Sequence, residues 1–299
     1  MTNITLTTPK EENDWVCIDG RFGYIMPKME GSLLDQIKKY TITLDLIEKA
    51  KNKVTMLSSK CIHGDIKLDN ILILNNKSYL HDFDGVFVFG NTQKPVEIYF
   101  TPIYAHPLLP FVIDFLSSES DSITIQTENV KNVWNLHMSV ALNMSSDQDV
   151  LKQYISQIQV YAFEQLHSET ITLDTDFIKS LKFDLYSLGA SLLHASIKMA
   201  EAEAQTDVSN KIQGKANEIF AQMVCGKKRG GAKTIQGLKQ VPKTPGILGD
   251  ARKDNLAGLY EKVKESEPLT KKEINWESFT KDSNFKVRYV GKVIKSQGQ

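Results

Sequence analysis

The chain has 299 residues, a formal net charge of zero, 41% hydrophobic residues and 24% charged residues. These values are typical of a globular protein with one large domain or two ordinary ones. Zero net charge gives no overall attraction to nucleic acid or to an anionic membrane. The widely spaced cysteines argue against a disulfide framework or a zinc site, and they fit a reducing compartment. They are Cys17, Cys61 and Cys225.

The polar lead-in, residues 1–14, lacks the apolar core of a signal peptide. No apolar run in the chain approaches the roughly 18 residues of a membrane span. We therefore expect an intracellular protein, cytoplasmic or nuclear, without membrane contact.

The first secondary-structure elements are predicted from short apolar runs and the turn residues between them. The runs WVCIDG and RFGYIM are split by Asp19-Gly20, which predicts a β-hairpin. A helix follows, with Ser32 as its N-cap, and TLDLIEKAKNKVTMLSSK forms a second helix. Four apolar residues of this second helix lie close to one face at helical period: Leu44, Ile47, Val54 and Leu57.

Three later segments also carry clear patterns. DVLKQYISQIQVYAFEQLH predicts an amphipathic helix, and FDLYSLGASLLHASIKMA is apolar nearly all round, as in a buried helix. Near the end of the sequence, FKVRYVGKVI alternates like a strand.

The stretch 61–74, CIHGDIKLDNILIL, combines catalytic residue types with a strand. His63, Asp65, Lys67 and Asn70 form the pattern H-x-D-x-K-x-x-N directly before the apolar run ILIL. Asp82, in HDFDG, follows twelve residues after Asn70. The runs ILIL and SYLHDF flank NNK and predict a hairpin, which would bring Asn70 and Asp82 to one side of a cleft.

This order resembles the catalytic loop and the metal-binding Asp-Phe-Gly of the eukaryotic-type protein kinases. The resemblance implies that Asp65 is the catalytic base and that Lys67 neutralises charge on the transferring phosphoryl group. It implies that Asn70 and Asp82 hold Mg²⁺, or Mn²⁺, against the phosphates of ATP. His63 would support the loop structurally.

Three further stretches resemble kinase motifs in the expected order. GYIMPKMEGSLLDQI resembles the hinge, with Met26 as gatekeeper. The resemblance implies that adenine meets the carbonyl of Pro27 and the N–H of Met29, and proline is tolerated because only its carbonyl is needed.

TPIYAHP resembles the end of an activation segment, which contains Thr101, Pro102 and Tyr104. The resemblance implies that this segment shapes the acceptor-peptide site and that Thr101 bonds near Asp65 and Lys67. Lys67 and Thr101 together favour the serine/threonine branch of the family.

DLYSLG resembles the D-x-W-S-x-G that opens the buried central helix of a kinase C-lobe. The resemblance implies that Asp184 ties this helix to the backbone of the catalytic loop.

The resemblance implies an α+β, protein-kinase-like fold, mainly the helical C-lobe with a remnant of the N-lobe sheet. We expect the N-lobe remnant and hinge at 15–31 and the C-lobe at 32–200. An insertion is expected at about 110–180, because roughly 75 residues separate the activation segment from DLYSLG where the family has about a dozen. A divergent C-terminal region covers 201–299.

Most of a kinase N-lobe is missing before the hinge. Only 25 residues precede Met26; they include no G-x-G-x-x-G, and their single lysine, Lys10, lies in the polar lead-in. Three explanations stay open: the sequence is a truncated reading of a longer protein, the C-terminal third folds back and substitutes, or the chain binds substrates or partners without efficient catalysis.

The stretch 226–253 is basic and glycine-rich and contains no aromatic residue. Lys and Arg on a mobile backbone suit phosphate or nucleic acid, whereas the missing aromatics remove the stacking that single strands require. We favour a solvated connector and expect no nucleic-acid partner. The expected partners are ATP, a protein substrate and a protein bound through the insertion.

Three functions follow from these features. The leading hypothesis is an ATP-dependent protein serine/threonine kinase of divergent form. The first alternative is a pseudokinase or interaction scaffold, which the missing N-lobe supports. The second is a small-molecule phosphotransferase of the aminoglycoside or choline kinase type, because HGD and DFD also resemble those enzymes.

Overall fold

Helices and small antiparallel sheets alternate along the computed structural model, which confirms the α+β class. None of the helices in the described part of the chain is long and apolar enough to cross a bilayer. The described residues are 15–18, 21–24, 27–163, 166, 168–201, 206–225 and 276–292.

The predicted N-terminal hairpin is confirmed. Strand β1, Trp15–Ile18, pairs antiparallel with β2, Arg21–Tyr24, with Ile18 opposite Arg21. Met26, the predicted gatekeeper, and the basic stretch 226–253 both lie outside the described residues.

Helix α1, Leu33–Lys38, begins at the predicted cap after the two-residue strand β3, Gly31–Ser32. The Ser32 hydroxyl accepts from the N–H of Asp35, and the Asp35 carboxylate accepts from the N–H of Ser32. This capping box satisfies two N-terminal donors that the helix leaves free.

Helix α2, Leu44–Ser58, is capped by the Thr43 side chain and packs one face into the main core. Ile47, Val54 and Leu57 are buried as predicted. Leu44, the first residue of the helix, is 42% exposed. Helical period shows which face of α2 is apolar, but not where along that face the neighbouring elements end.

The predicted hairpin after the catalytic-loop stretch is also confirmed. Strand β5, Ile71–Leu74, pairs antiparallel with β6, Lys77–Leu80, and β3 pairs on the other edge of β5. Asn75 and Asn76 both have positive φ, of 50° and 56°, as a two-residue type I′ turn requires.

Helix α7, Phe183–Glu201, is the buried central helix that its sequence predicts. It packs against α8, Thr206–Cys225, and against α5, Gln148–Phe163. Gly189 lies where the ring of Phe220 approaches, and a Cβ there would be 3.0 Å from that ring.

The residues of the expected insertion contribute to the same core. Tyr154 of α5 is buried and donates from its hydroxyl to the carbonyl of Ile103 at 2.6 Å. On the predicted apolar face of α5, Leu151, Ile158 and Ala162 are buried, whereas Ile155 is half-buried. The remaining elements of this region are α3, Leu109–Ser117; β9, Ser122–Gln126; α4, Thr127–Met144; β10, Thr170–Asp174; and α6, Thr175–Ser180.

The last described residues return to the centre of the molecule. Helix α9, Trp276–Ser283, inserts Phe279 into the main core. Strand β11, Val287–Val290, confirms the predicted strand and pairs antiparallel with β8, Glu97–Phe100, so that Val287 lies opposite Phe100. The other short strands, β4, Cys61–Ile62, and β7, Phe87–Val88, pair with each other.

Candidate active site

The loop after β4 is held in place by the central helix. Asp184, at the start of α7, accepts hydrogen bonds at 2.9 Å from the backbone N–H groups of His63 and Gly64. The expected contact between Asp184 and this loop is therefore present. Burial raises the pKa of Asp184, against the lowering effect of His63 and of the two N–H donors.

His63 connects the loop to the end of β6. Its Nε2 donates to the carbonyl of His81 at 3.0 Å, and its ring packs against Phe83. The N–H of His81 donates in turn to the carbonyl of Asn70 at 2.9 Å. These bonds fix the stretch 63–70 against the stretch 81–83, in which Asp82 lies.

Asp65 is 3% exposed and its carboxylate is bonded on both oxygens. Oδ1 accepts from the hydroxyl of Thr101 at 2.6 Å, and Oδ2 accepts from the amide of Asn70 at 3.3 Å. Asn70 also donates to the backbone carbonyl of Asp65 at 2.9 Å. The carboxylate is therefore oriented from two sides.

The side chain of Lys67 points towards the carboxylate of Asp65. Its Nζ lies 3.8 Å from Oδ2 of Asp65 and is buried with it. It donates at 2.8 Å to the backbone carbonyl of Ser283, at the end of α9. A buried ammonium requires such partners, because desolvation of the charge is costly.

Asp82 adopts a left-handed backbone conformation, with φ +63°. This backbone conformation is unfavourable for residues other than glycine. It persists only where the surrounding structure holds it, commonly at functional sites. Burial alone would raise the pKa of Asp82, but the hydrogen bond and charge of Lys286 outweigh it, and the pKa is lowered.

Lys286 lies between the two carboxylates. Its Nζ is 2.7 Å from Oδ2 of Asp82 and 3.1 Å from Oδ2 of Asp65. Burial lowers the pKa of this ammonium, but the two carboxylates more than compensate and the pKa is raised. Sequence reasoning missed Lys286 and Ser283; the alternating pattern around Lys286 predicted a strand but not its partner.

We call Asp65, Lys67, Asn70, Asp82 and Thr101 the candidate cluster. The structure brings these five predicted site residues together, through direct bonds or through Lys286.

The other predicted site residues lie elsewhere. Pro27 is exposed and Met29 is half-buried, both just before β3. Pro102 is buried, and Tyr104 is buried with its hydroxyl 2.9 Å from Nδ1 of His194 on α7. Tyr104 therefore contacts the protein core in this structure.

The residues predicted to hold a metal have suitable chemistry. The Asp82 carboxylate and the Asn70 amide provide hard oxygen ligands of the kind that Mg²⁺ takes. Among the described residues no group of three or more His, Cys, Asp and Glu could hold a metal. Mg²⁺ at a phosphate site is usually bound by one or two protein ligands plus phosphate oxygens, so a third is not needed. Lys286, a cation, already bonds Asp82.

Gly64 allows β8 to cross the loop closely. Its φ is +84°, and a Cβ there would be 2.3 Å from Cγ2 of Ile98 and 2.9 Å from the carbonyl oxygen of Tyr99. A side chain at position 64 would therefore push β8 away from the candidate cluster.

Neither protein-family models, nor curated proteins, nor solved structures give a match to this chain.

Proposed function

We propose that this chain is an ATP-dependent protein serine/threonine kinase of divergent form. The observation that carries the proposal is the held carboxylate of Asp65, with Thr101 on one oxygen, Asn70 on the other and Lys67 3.8 Å away. A carboxylate oriented in this way can accept or direct the proton of an attacking hydroxyl, and a neighbouring ammonium can stabilise charge on a phosphoryl group.

In this proposal each member of the candidate cluster has a distinct task. Asp65 orients the acceptor hydroxyl, and Thr101 and Asn70 orient Asp65. Lys67 balances phosphoryl charge. Asn70 and Asp82 bind Mg²⁺ or Mn²⁺, which when bound neutralises the phosphates of ATP and fixes their position.

We propose in addition that the fold is a kinase-like C-lobe with an N-lobe remnant. Its support is the chain order: a hairpin, a capped helix, the loop before β5, a hairpin followed closely by Asp82, and a buried helix whose Asp184 binds the loop. Adenine is assigned to the backbone of Pro27 and Met29, next to β3.

The test is transfer of labelled phosphate from ATP with Mg²⁺ to a mixed serine and threonine peptide pool. It uses the whole chain, Asp65→Asn, and Asp149→Asn as a matched control, because the side chain of Asp149 is 89% exposed. We expect transfer by the whole chain and the control, and a loss of about 100-fold or more in Asp65→Asn.

Because Lys286 occupies the candidate cluster, the same assay is run with Lys286→Met. Absence of transfer in every form, or equal transfer by Asp65→Asn, would contradict the proposal. Amino sugars and choline in a parallel assay distinguish a small-molecule phosphotransferase.

A pseudokinase or interaction scaffold is the second candidate. One observation favours it: the ammonium of Lys286 fills the place between Asp65 and Asp82 that a metal and phosphate would need. A protein partner would find exposed apolar side chains on α4, at Leu136, Val140 and Met144. A thermal shift with ATP and Mg²⁺ separates the two candidates, since a scaffold would show no stabilisation.

A further inference from the structure

Residues 276–292, which we call the covering segment, bond to the groups that phosphoryl transfer needs. The carbonyl of Ser283 accepts from Lys67 at 2.8 Å, and its oxygen lies 3.3 Å from the hydroxyl oxygen of Thr101. Lys286 forms an ion pair with Oδ2 of Asp65 and with Oδ2 of Asp82. An acceptor hydroxyl and a phosphoryl group would compete with this segment for the same atoms.

The covering segment also occupies a sheet edge. Strand β11 is the ladder partner of β8 in the described structure, and β8 runs directly into Thr101. Adding a strand to an exposed edge is a common way for a protein to bind an extended peptide, because main-chain bonds give affinity and alternate side chains give specificity. A peptide along β8 would therefore pass the candidate cluster.

Side-chain contacts of β11 indicate what such a peptide would contain. Arg288 forms a two-pronged pair with Glu97 of β8, at 2.6 and 2.8 Å. Tyr289, on the other face, is half-buried and donates from its hydroxyl to Asp114 of α3. The edge therefore favours a basic side chain facing Glu97 and an aromatic side chain facing α3.

We propose that the covering segment is a tethered occupant of the acceptor-peptide site, and that the substrate is an extended basic peptide that adds to β8 once the segment leaves. This inference rests on the proposed kinase function. The segment holds the enzyme closed because Lys286 fills the cluster while β11 fills the edge.

Gly291 offers a way to displace the segment without touching the candidate cluster. Its N–H donates to the carbonyl of Val96 at 2.9 Å. A Cβ at this position would be 1.9 Å from Oγ of Ser117 and 2.5 Å from the carbonyl oxygen of Ile113. Gly291→Ala therefore forces the end of β11 away from α3. Gly214→Ala is the matched control, since a Cβ at Gly214 meets nothing within 4 Å.

The first experiment measures peptide binding without catalysis. A fluorescent synthetic peptide with the sequence of residues 283–292 is titrated into the whole chain, Gly291→Ala and Gly214→Ala, and its anisotropy is followed. We expect Gly291→Ala to bind about tenfold more tightly than the other two, the factor that corresponds to losing one or two backbone hydrogen bonds of closure. Equal binding by all three proteins would overturn the proposal.

Peptide sequence provides the second control. A peptide with Arg288→Glu should bind Gly291→Ala about tenfold more weakly, and Glu97→Lys in the protein should restore its binding. If Arg288→Glu has no effect on binding, the peptide does not lie along β8 and the proposal fails.

The second experiment measures transfer from ATP with Mg²⁺ to the peptide pool. We expect Gly291→Ala and Lys286→Met each to raise the rate about tenfold over the whole chain and over Gly214→Ala. Lys286→Met also serves if Gly291→Ala does not fold. A fall in rate in Lys286→Met would make Lys286 a catalytic residue and overturn the covering role. Tighter peptide binding without transfer in any form would refute the kinase function and leave the peptide site standing.

Discussion

Lys67 donates a 2.8 Å hydrogen bond to the backbone carbonyl of Ser283, which lies 216 residues further along the chain. Lys67 is 5% exposed, so this carbonyl replaces water as the partner of its ammonium. Lys67 thereby connects the loop that carries Asp65 to the end of α9. The candidate cluster and the covering segment are thus parts of one hydrogen-bond network.

Replacing the hydroxyl of Thr101 tests the orientation of Asp65. Thr101→Val keeps the side-chain shape but leaves Oδ1 of Asp65 without its 2.6 Å donor. We expect phosphoryl transfer to fall by about 10- to 100-fold, because a misplaced catalytic group loses its productive geometry. We also expect the free energy of unfolding, measured by urea titration, to fall by about 1–3 kcal/mol.

Thr172→Val is the control for this change, because Thr172 lies on an exposed face of β10. It should change neither rate nor stability by more than about 0.5 kcal/mol. An unchanged rate in Thr101→Val would mean that Asp65 needs no help from Thr101.

The hydrogen bonds of Asp184 to the loop can be weakened by replacing its carboxylate with an amide. Asp184→Asn keeps the shape but cannot accept equally from both N–H groups, at His63 and Gly64. We expect a loss of about 1.5–3 kcal/mol in the free energy of unfolding, typical of a hydrogen bond to a charged group. Asp149→Asn changes an exposed side chain, so its free energy of unfolding should lie within about 0.5 kcal/mol of that of the unsubstituted protein. A loss no larger than that in Asp184→Asn would show that the carboxylate does not hold the loop.

Two glycines should respond to alanine in opposite directions. Gly64→Ala combines a φ of +84° with a Cβ only 2.3 Å from Ile98, so we expect a loss of about 2–5 kcal/mol. Gly214→Ala lies in α8 with open space around it and should gain about 0.5–1 kcal/mol. Equilibrium unfolding in urea measures both values. A neutral Gly64→Ala would mean that β8 can move from the loop without cost.

Acid stability should depend on His194. Burial lowers the pKa of this imidazole to about 3, below its ordinary value of roughly 6.5 in the unfolded chain. Between these values the unfolded state binds the extra proton, so stability falls as the pH drops from about 6.5 towards 3. His194→Gln removes that titration. It also removes the hydrogen bond between Nδ1 of His194 and the hydroxyl of Tyr104.

The stability difference between the protein and His194→Gln should therefore be largest near pH 7. It should shrink by up to about 1.4 kcal/mol per pH unit below pH 6.5. Urea unfolding at pH 7, 6 and 5 measures the change. A difference that stays constant over this range would show that His194 titrates alike in the folded and unfolded chains.

Local signals in the sequence predicted the elements that depend on near neighbours. Ser32 and Asp35 are three residues apart, and the turn at Asn75 and Asn76 needs only its own two strands. The contact of Asp184 with the loop could be predicted only from the family resemblance. The pairing of β8 with β11 could not be predicted, because alternation indicates a strand but carries no information about a partner far along the chain.

The pairing of β11 with β8 has a consequence for synthesis. A ribosome makes the loop with Asp65, the hairpin before Asp82 and β8 long before it reaches Lys286. Until then Ile98 and its neighbours in β8 form an unpaired edge, which in other proteins invites association with a second chain. The nascent protein therefore passes through a period in which β8 lacks its partner strand and can associate with a second chain.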